Sequence, residues 1–255
     1  MHPNSVERLP FTLTESSVLA VIPARYQATR LPGKILADIA GKPMIEHVYR
    51  RASAAARIHG VLVATDDERI AGAVRAFGGA AIMTRTDHAS GTDRIAEAVS
   101  QLPCGIVVNV QGDEPLLEPG VIDAVVEPLL NDSSVEMSTV SRPFRNREEF
   151  ENPNVVKVVT NDFGNAMYFS RALIPGSAHV GLYAYRRQTL LRLAATPAAG
   201  IELDERLEQL RALVSGIDIR VVPTPHMVAG VDTPEDLERV RAMFPAAGLV
   251  ASIRT

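Results

Sequence analysis

The sequence predicts an α/β fold: a mixed, mostly parallel central sheet flanked by helices, with a small β subdomain over residues 135–185. Three observations carry this. Apolar runs of buried-strand type at residues 18–22, 61–66, 80–84 and 106–115 alternate with helical periodicities through the first half. The second half turns to alternating runs rich in Tyr and Phe. The first apolar run ends in a basic, Gly-containing loop with Arg25, Arg30, Gly33 and Lys34. In open parallel sheets that end of a strand is where ligands sit.

The elements follow in order. After the basic loop, Gly41 and Pro43 punctuate a turn, and Pro43 suits the first position of a helix. Ile45, Val48, Ala52 and Ala55 then repeat at helical spacing. A strand over 61–66 leads to a helix with Asp66 as N-cap, Ile70, Val74 and Phe77 on one face, and Gly78 as C-cap. A third strand covers 80–84, and the helix after it turns Ile95, Val99 and Leu102 inward. The fourth strand, 106–115, ends in carboxylates. A helix over PGVIDAVVEPLL precedes strands in VEMSTVSRP, NVVKVVTND, NAMYFSRALIP and HVGLYAYRR. ELDERLEQLRALVSG reads as one amphipathic helix with Leu203, Leu207, Leu210 and Leu213 on its apolar side. A last strand, IDIRVVPT, precedes a closing helix capped by Thr233, with Pro234 first and Asp236 third. With no internal repeat and no linker, residues 17–255 read as one domain and residues 1–16 as a disordered extension.

Composition narrows the function. The chain has 255 residues, 46% hydrophobic and 22% charged, which is ordinary for a globular protein. A net charge of −4 provides no overall basic field for a nucleic acid polymer, so anion attraction must be local. Cys104 is the single cysteine, which excludes an intrachain disulfide. No apolar run has the length of a membrane span, and residues 1–16 hold no signal-peptide core, so the cytoplasm is the expected location.

The chemistry-bearing residues fall in loops at strand ends. Arg25, Arg30 and Lys34 are placed to hold phosphates, or else form a solvated basic loop. Asp113, in QGDEP, faces the same crevice and is a hard oxygen ligand of the kind Mg²⁺ takes along with substrate phosphates. Asp232 is the natural second carboxylate, since Thr233 already fills the capping role. Arg85, Ser90, Gly91, Thr92 and Arg94 surround a helix start that offers N–H donors to a base or phosphate, or simply a capped helix. His88 reads as a surface histidine. Tyr168, Arg171, His179, Tyr183 and Tyr185 form a polar-aromatic set, in which a buried cation would need an anion. The first βα turn lacks GxGxxG, which excludes a dinucleotide-binding dehydrogenase.

PARYQATRLPGK, ATDDERI, TRTDHASGTDR, VNVQGDEP, NPNVVKVV, YFSRA, HVGLYAY, LEQLRAL and GVDTPEDLERVR occur in one order along the chain. Together they resemble the 3-deoxy-manno-octulosonate (Kdo) cytidylyltransferases, from about residue 18 to residue 243. The resemblance implies the nucleotide-diphospho-sugar transferase version of the α/β fold, related to glycosyltransferase-A. It also implies activation of Kdo by CTP with Mg²⁺, release of pyrophosphate, supply of CMP-Kdo to lipopolysaccharide synthesis, and a homodimer. Carried over by motif, Arg25, Arg30 and Lys34 hold the CTP phosphates, while Gln111, Arg85 and Ser90 help place the cytidine. Asp113 and Asp232 bind Mg²⁺, and Arg171, His179, Tyr183, Glu208 and Gln209 line the sugar pocket. Two departures stand out: only GSA separates Pro175 from His179 where the family has a longer charged loop, and Thr29 replaces a common serine. Two other readings stay open: the same chemistry on an amino analogue of Kdo or another acidic sugar, and an inactive nucleotide-binding homologue.

Overall fold

The computed structural model describes residues 9–27, 31–226 and 230–244. The expected phosphate-loop residue Arg30, and Thr29 beside it, lie outside the described residues.

The fold is built outward from β1 (Val18–Ala24), an unbroken apolar run that is buried on both faces. It pairs in parallel with β4 (Gly60–Thr65) on one side and β6 (Ile106–Asn109) on the other. Continuous Val, Leu and Ile without alternation is what a doubly covered parallel strand requires. β5 (Ala80–Met83) extends the sheet in parallel beyond β4. Beyond β6 the direction reverses: β10 (Ser177–Arg186) runs antiparallel to β6 and to β7 (Met137–Arg142), and β11 (Ile219–Pro223) closes the edge parallel to β7. β8 (Lys157–Thr160) and β9 (Ala166–Ser170) form a hairpin that joins the sheet where β8 meets the first residues of β10. Among the described residues these nine strands form one mixed, mostly parallel sheet whose main path is β11-β7-β10-β6-β1-β4-β5. A separate antiparallel pair, β2 (Asp38–Ile39) and β3 (Lys42–Pro43), follows the basic loop.

Side-chain alternation along β1 divides the core in two. Val18, Ala20 and Ile22 pack with α1 (Met44–Ser53), α2 (Glu68–Ala76) and α4 (Pro119–Asn131). Leu19 and Val21 pack on the opposite face with α3 (Gly91–Val99), α6 (Arg187–Ala195) and α8 (Gln209–Val214). Leu9, Phe11 and Leu13 pack against this second cluster, so the packed chain starts before residue 17. A third cluster seats α9 (Pro234–Arg241): Val231, Leu237 and Val240 meet Ile39 and Met44. Burying an aliphatic side chain is worth about 1.5–3 kcal/mol. These three residues therefore outweigh any exposed ion pair in holding the chain near residue 232.

Several local expectations are corrected. Asp67, not Asp66, caps α2, accepting from the Arg69 N–H at 2.9 Å. Asp66 instead accepts from Arg94, whose side chain is fully buried and needs a carboxylate there. Pro43 is the N-cap of α1 rather than its first residue, because it is still paired in β3. The fourth strand stops at Asn109, six residues earlier than expected, and the chain to 115 is loop. Phe77 takes the C-cap of α2, and Gly78 follows it with a left-handed φ of 83°.

The expected single helix over ELDERLEQLRALVSG is two helices, α7 (Gly200–Glu205) and α8, broken where Arg206 turns left-handed at φ 55°. Arg211 on α8 clamps the break with a bidentate bond to Glu202 on α7, at 2.5 and 2.8 Å. Glu205 accepts from Tyr168, from the Ser170 hydroxyl and from the Arg171 N–H. A straight helix would not serve both sets of partners. Leu207 and Leu210 are buried as expected, while Leu203 is exposed.

The β9–β10 connection turns on Gly176, at φ 136°. A Cβ there would lie 2.2 Å from the Val158 carbonyl oxygen, which is backbone and cannot yield. Gly176→Ala should therefore lower the unfolding free energy by about 2–4 kcal/mol. A denaturant midpoint equal to that of the wild type would show that this approach does not fix the turn.

Candidate functional site

From β1 the chain builds β4 and β5 to one side, then crosses to place β6 on the other. The loops after β1 and β6 therefore diverge from a topological switch point, where open α/β sheets hold ligands. A cavity of about 260 Å³ lies there, lined by Arg25, Lys34, Ser90, Gln111, Gly112 and Asp113 among others. A neighbouring cavity of about 280 Å³ is lined by Arg25, Tyr26, Gln27, Asp66, Asp67 and Thr86.

Lys34 begins a 3-10 turn (Lys34–Leu36) just after left-handed Gly33. Its ammonium donates to Asp113 at 2.6 Å, to Asp232 at 2.9 Å and to the Val231 carbonyl at 2.9 Å. Burial works to lower the Lys34 pKa, but the charge and hydrogen bond of Asp113, and then those of Asp232, prevail and hold it above its usual value. The Val231 N–H also donates to the Asp113 carbonyl, so the segment before α9 is tied to the loop after β6 by backbone as well. Beside Asp113, the Glu114 carboxyl is pushed up to about 8 by burial and then by the Asp113 charge, and its Oε2 is buried without a hydrogen-bond partner.

Asp113 and Asp232 are hard oxygen donors that converge on one cation. Among the described residues no third His, Cys, Asp or Glu completes a metal cage with them. Two carboxylates with open positions suit Mg²⁺, which takes its remaining ligands from substrate phosphates and water. The donor chemistry therefore fits that ion, and does not fit a metal that needs a closed nitrogen or sulfur site.

Ser90 and Gly91, at the start of α3, line the cavity from the other side, and α3 is in turn tied to α8. Ser90 caps α3 in a reciprocal capping box with Asp93. The Ser90 and Thr92 hydroxyls both donate to Glu208, at 2.8 and 2.9 Å, joining α3 to the start of α8. Burial pushes the Glu208 carboxyl up despite those bonds. Gln209 next to it is buried. Gln111 donates to the Gly181 carbonyl of β10 and to Asn109, which ties the loop after β6 to β10. The Tyr183 ring stacks on Tyr185 at 5.9 Å and meets the His179 ring at 5.5 Å. Burial raises the Tyr183 phenol, with Glu208 and Glu114 adding to the effect. His179 bonds Thr139 through Nε2 at 2.9 Å, and burial drives its pKa down to about 3, so the imidazole is neutral at physiological pH.

Thus Arg25, Lys34, Ser90, Gln111 and Asp113 share one cavity, and Asp232 joins them through Lys34. His179 and Tyr183 are in mutual contact, and Glu208 meets Ser90. Arg85 is outside this group: it is exposed and paired with Asp87. Arg94, read with that loop, is interior. Arg171 lies past the end of β9, where its guanidinium donates to the Pro153 carbonyl. His88 is not a bare surface histidine, since its ring pairs with Glu97 and its carbonyl accepts from Arg25. Nothing in the sequence singles out Glu205 or Glu114, although Glu114 stands next to Asp113 in QGDEP.

One titration follows. Folded His179 stays neutral to about pH 3, whereas an unfolded histidine protonates near pH 6.5, so its contribution to stability is lost as pH falls below about 6.5. His179→Gln should flatten the stability–pH profile between pH 6.5 and 5 by up to about 1.4 kcal/mol per pH unit. An unchanged slope would mean that His179 takes up its proton in the folded state.

Comparison with known proteins gives one consistent answer. A cytidylyltransferase family model matches residues 19–219. The 3-deoxy-manno-octulosonate cytidylyltransferase of Geobacter sulfurreducens is 50% identical over 88% of this chain and 98% of its own length. That of Solibacter usitatus is 50% identical over 90% of this chain and 95% of its own. A solved structure of CMP:2-keto-3-deoxy-manno-octonic acid synthetase complexed with CTP superposes with a TM-score of 0.86 at 45% identity, covering 89% of this chain and 98% of that one. A putative glucose-1-phosphate thymidylyltransferase from Bacillus anthracis shares the fold alone, with a TM-score of 0.67 at 15% identity over 93% of this chain and 98% of its own. With its ordered motifs, its switch-point crevice and relatives matched over nearly their full length, the chain belongs to the 3-deoxy-manno-octulosonate cytidylyltransferase family.

Proposed function

We propose that this protein transfers CMP from CTP to the acidic sugar Kdo, releasing pyrophosphate, for lipopolysaccharide synthesis in the cytoplasm. The observation that carries the site assignment is the convergence of Lys34, Asp113 and Asp232 at the switch-point cavity. The anomeric hydroxyl attacks the α-phosphorus of CTP and gives up its proton to solvent, a new P–O bond forms, and the bond to pyrophosphate breaks in line with it. Both reactants are anions, so the protein's main task is to neutralise charge and hold the approach.

Arg25, Arg30 and Lys34 take the phosphates, and Gln111 and Ser90 place the cytidine. Asp113 and Asp232 would hold Mg²⁺, which when bound supplies positive charge against the phosphate oxygens. Neutral His179 offers the sugar a hydrogen bond without a charge, and Tyr183, Glu208 and Gln209 receive its hydroxyls. Arg171 turns from the Pro153 carbonyl to the sugar carboxylate, which a guanidinium holds by two parallel bonds. The exposed apolar residues Phe163, Met167 and Leu173, around the β8–β9 hairpin, support a homodimer through that region.

Pyrophosphate release from CTP is the direct test, with Kdo, its amino analogue and a sialic acid compared as acceptors. Kdo should give the highest kcat/KM, and absence of turnover with every acceptor would sink the proposal. Asp113→Asn should fold normally and lose on the order of 10²–10³ in turnover. Near-wild-type turnover would remove Asp113 from the reaction centre. Lys34→Ala should weaken CTP more than CMP, because its ammonium is assigned to the distal phosphates. Equal weakening of the two nucleotides would place Lys34 against the α-phosphate or the nucleoside.

A further inference from the structure

The loop that carries the cations has a neck, formed by Tyr26 and Gly33. The Gly33 N–H donates to the Tyr26 carbonyl at 2.8 Å. Gly33 is left-handed at φ 72°, and a Cβ there would meet the Tyr26 ring at 3.1 Å, so the ring sits directly against the glycine. The Arg69 guanidinium carbon lies 3.4 Å from the centroid of the same ring. Arg69 has little freedom to leave. Its Nε and Nη2 grip the two oxygens of Asp67 at 2.9 and 2.6 Å, and Asp67 is itself fixed as the N-cap of α2. Arg25 comes one residue before the neck and Lys34 one residue after it.

The geometry points to Asp67, Arg69 and Tyr26 as positioning residues that latch the neck of this loop, so that Arg25 and Lys34 present themselves to one anion. The latch ties the loop after β1 to the helix after the adjacent strand β4, and Tyr26 and Asp67 both line the second cavity. None of the three needs to touch the reacting atoms. An exposed Arg–Asp pair adds little to global stability, so loss of the latch should be felt at the loop and not in the melting temperature. The inference rests on the anion-binding role proposed above for this loop, but its first readout does not depend on that role.

Arg69→Ala and Arg69→Lys in the full chain test it. In Arg69→Ala, amide hydrogen exchange at Gly33 should quicken by about two- to fivefold, the size an exposed cation–π contact supports. The KM for CTP should rise by a similar factor, with the KM for Kdo unchanged and Tm held within about 2 °C. Arg69→Lys keeps the charge but lacks the planar fork and stack, so it should not restore either value. Wild-type exchange at Gly33, quickened exchange with an unchanged KM for CTP, or full rescue by Lys would each overturn the latch. If the wild type consumes no CTP, the proposed reaction fails, and Gly33 exchange alone then decides whether the neck is latched.

Discussion

One ammonium holds the crevice together. Lys34 joins the loop after β1 to the loop after β6 through Asp113 and to the start of α9 through Asp232. These segments are remote in sequence, and Lys34 is the point at which they share a charge. The apolar contacts of Val231, Leu237 and Val240 bring the last segment into range. The ion pairs set its final position. Two carboxylates meet at that one ammonium, beside the switch-point cavity. Two hard oxygen donors side by side are the physical reason for the divalent cation proposed for the pair.

Much of the crevice was legible in the sequence because its signals are local. The unbroken apolar run of β1 reads as a doubly buried strand without knowledge of its neighbours. The Thr233 cap, the Pro at the next position and the acid at the third fix the start of α9, and this frees Asp232 for Lys34. Asp113 was placed by its position after a strand, and the structure puts it in the crevice that this rule predicts.

What escaped the sequence was decided by distant partners. Nothing near residue 206 marks a helix break; the break follows from three donors to Glu205 in β9 and just past it, on Tyr168, Ser170 and Arg171, and from the Glu202–Arg211 clamp. Asp66 and Asp67 are equally good caps by type, and only the buried Arg94 decides between them. Arg85 and Arg94 look alike in TRTDHASGTDR, yet one is exposed with Asp87 and the other is interior. His179 illustrates the same limit. Its residue type suggests a titrating group, and burial against Phe169 and Tyr183 makes it a neutral one.

The position of β1 also has a consequence for how the molecule is made. It leaves the ribosome well before β6, so one of its edges has no partner until residues 106–109 have been synthesised. A long apolar strand with an unpaired edge is open to wrong pairing during that interval. The same delay applies to Lys34, which meets its second carboxylate only when residue 232 has emerged. The loop after β1 is thus translated long before it is completed, and a nascent chain that stops short of α9 carries the loop without Asp232.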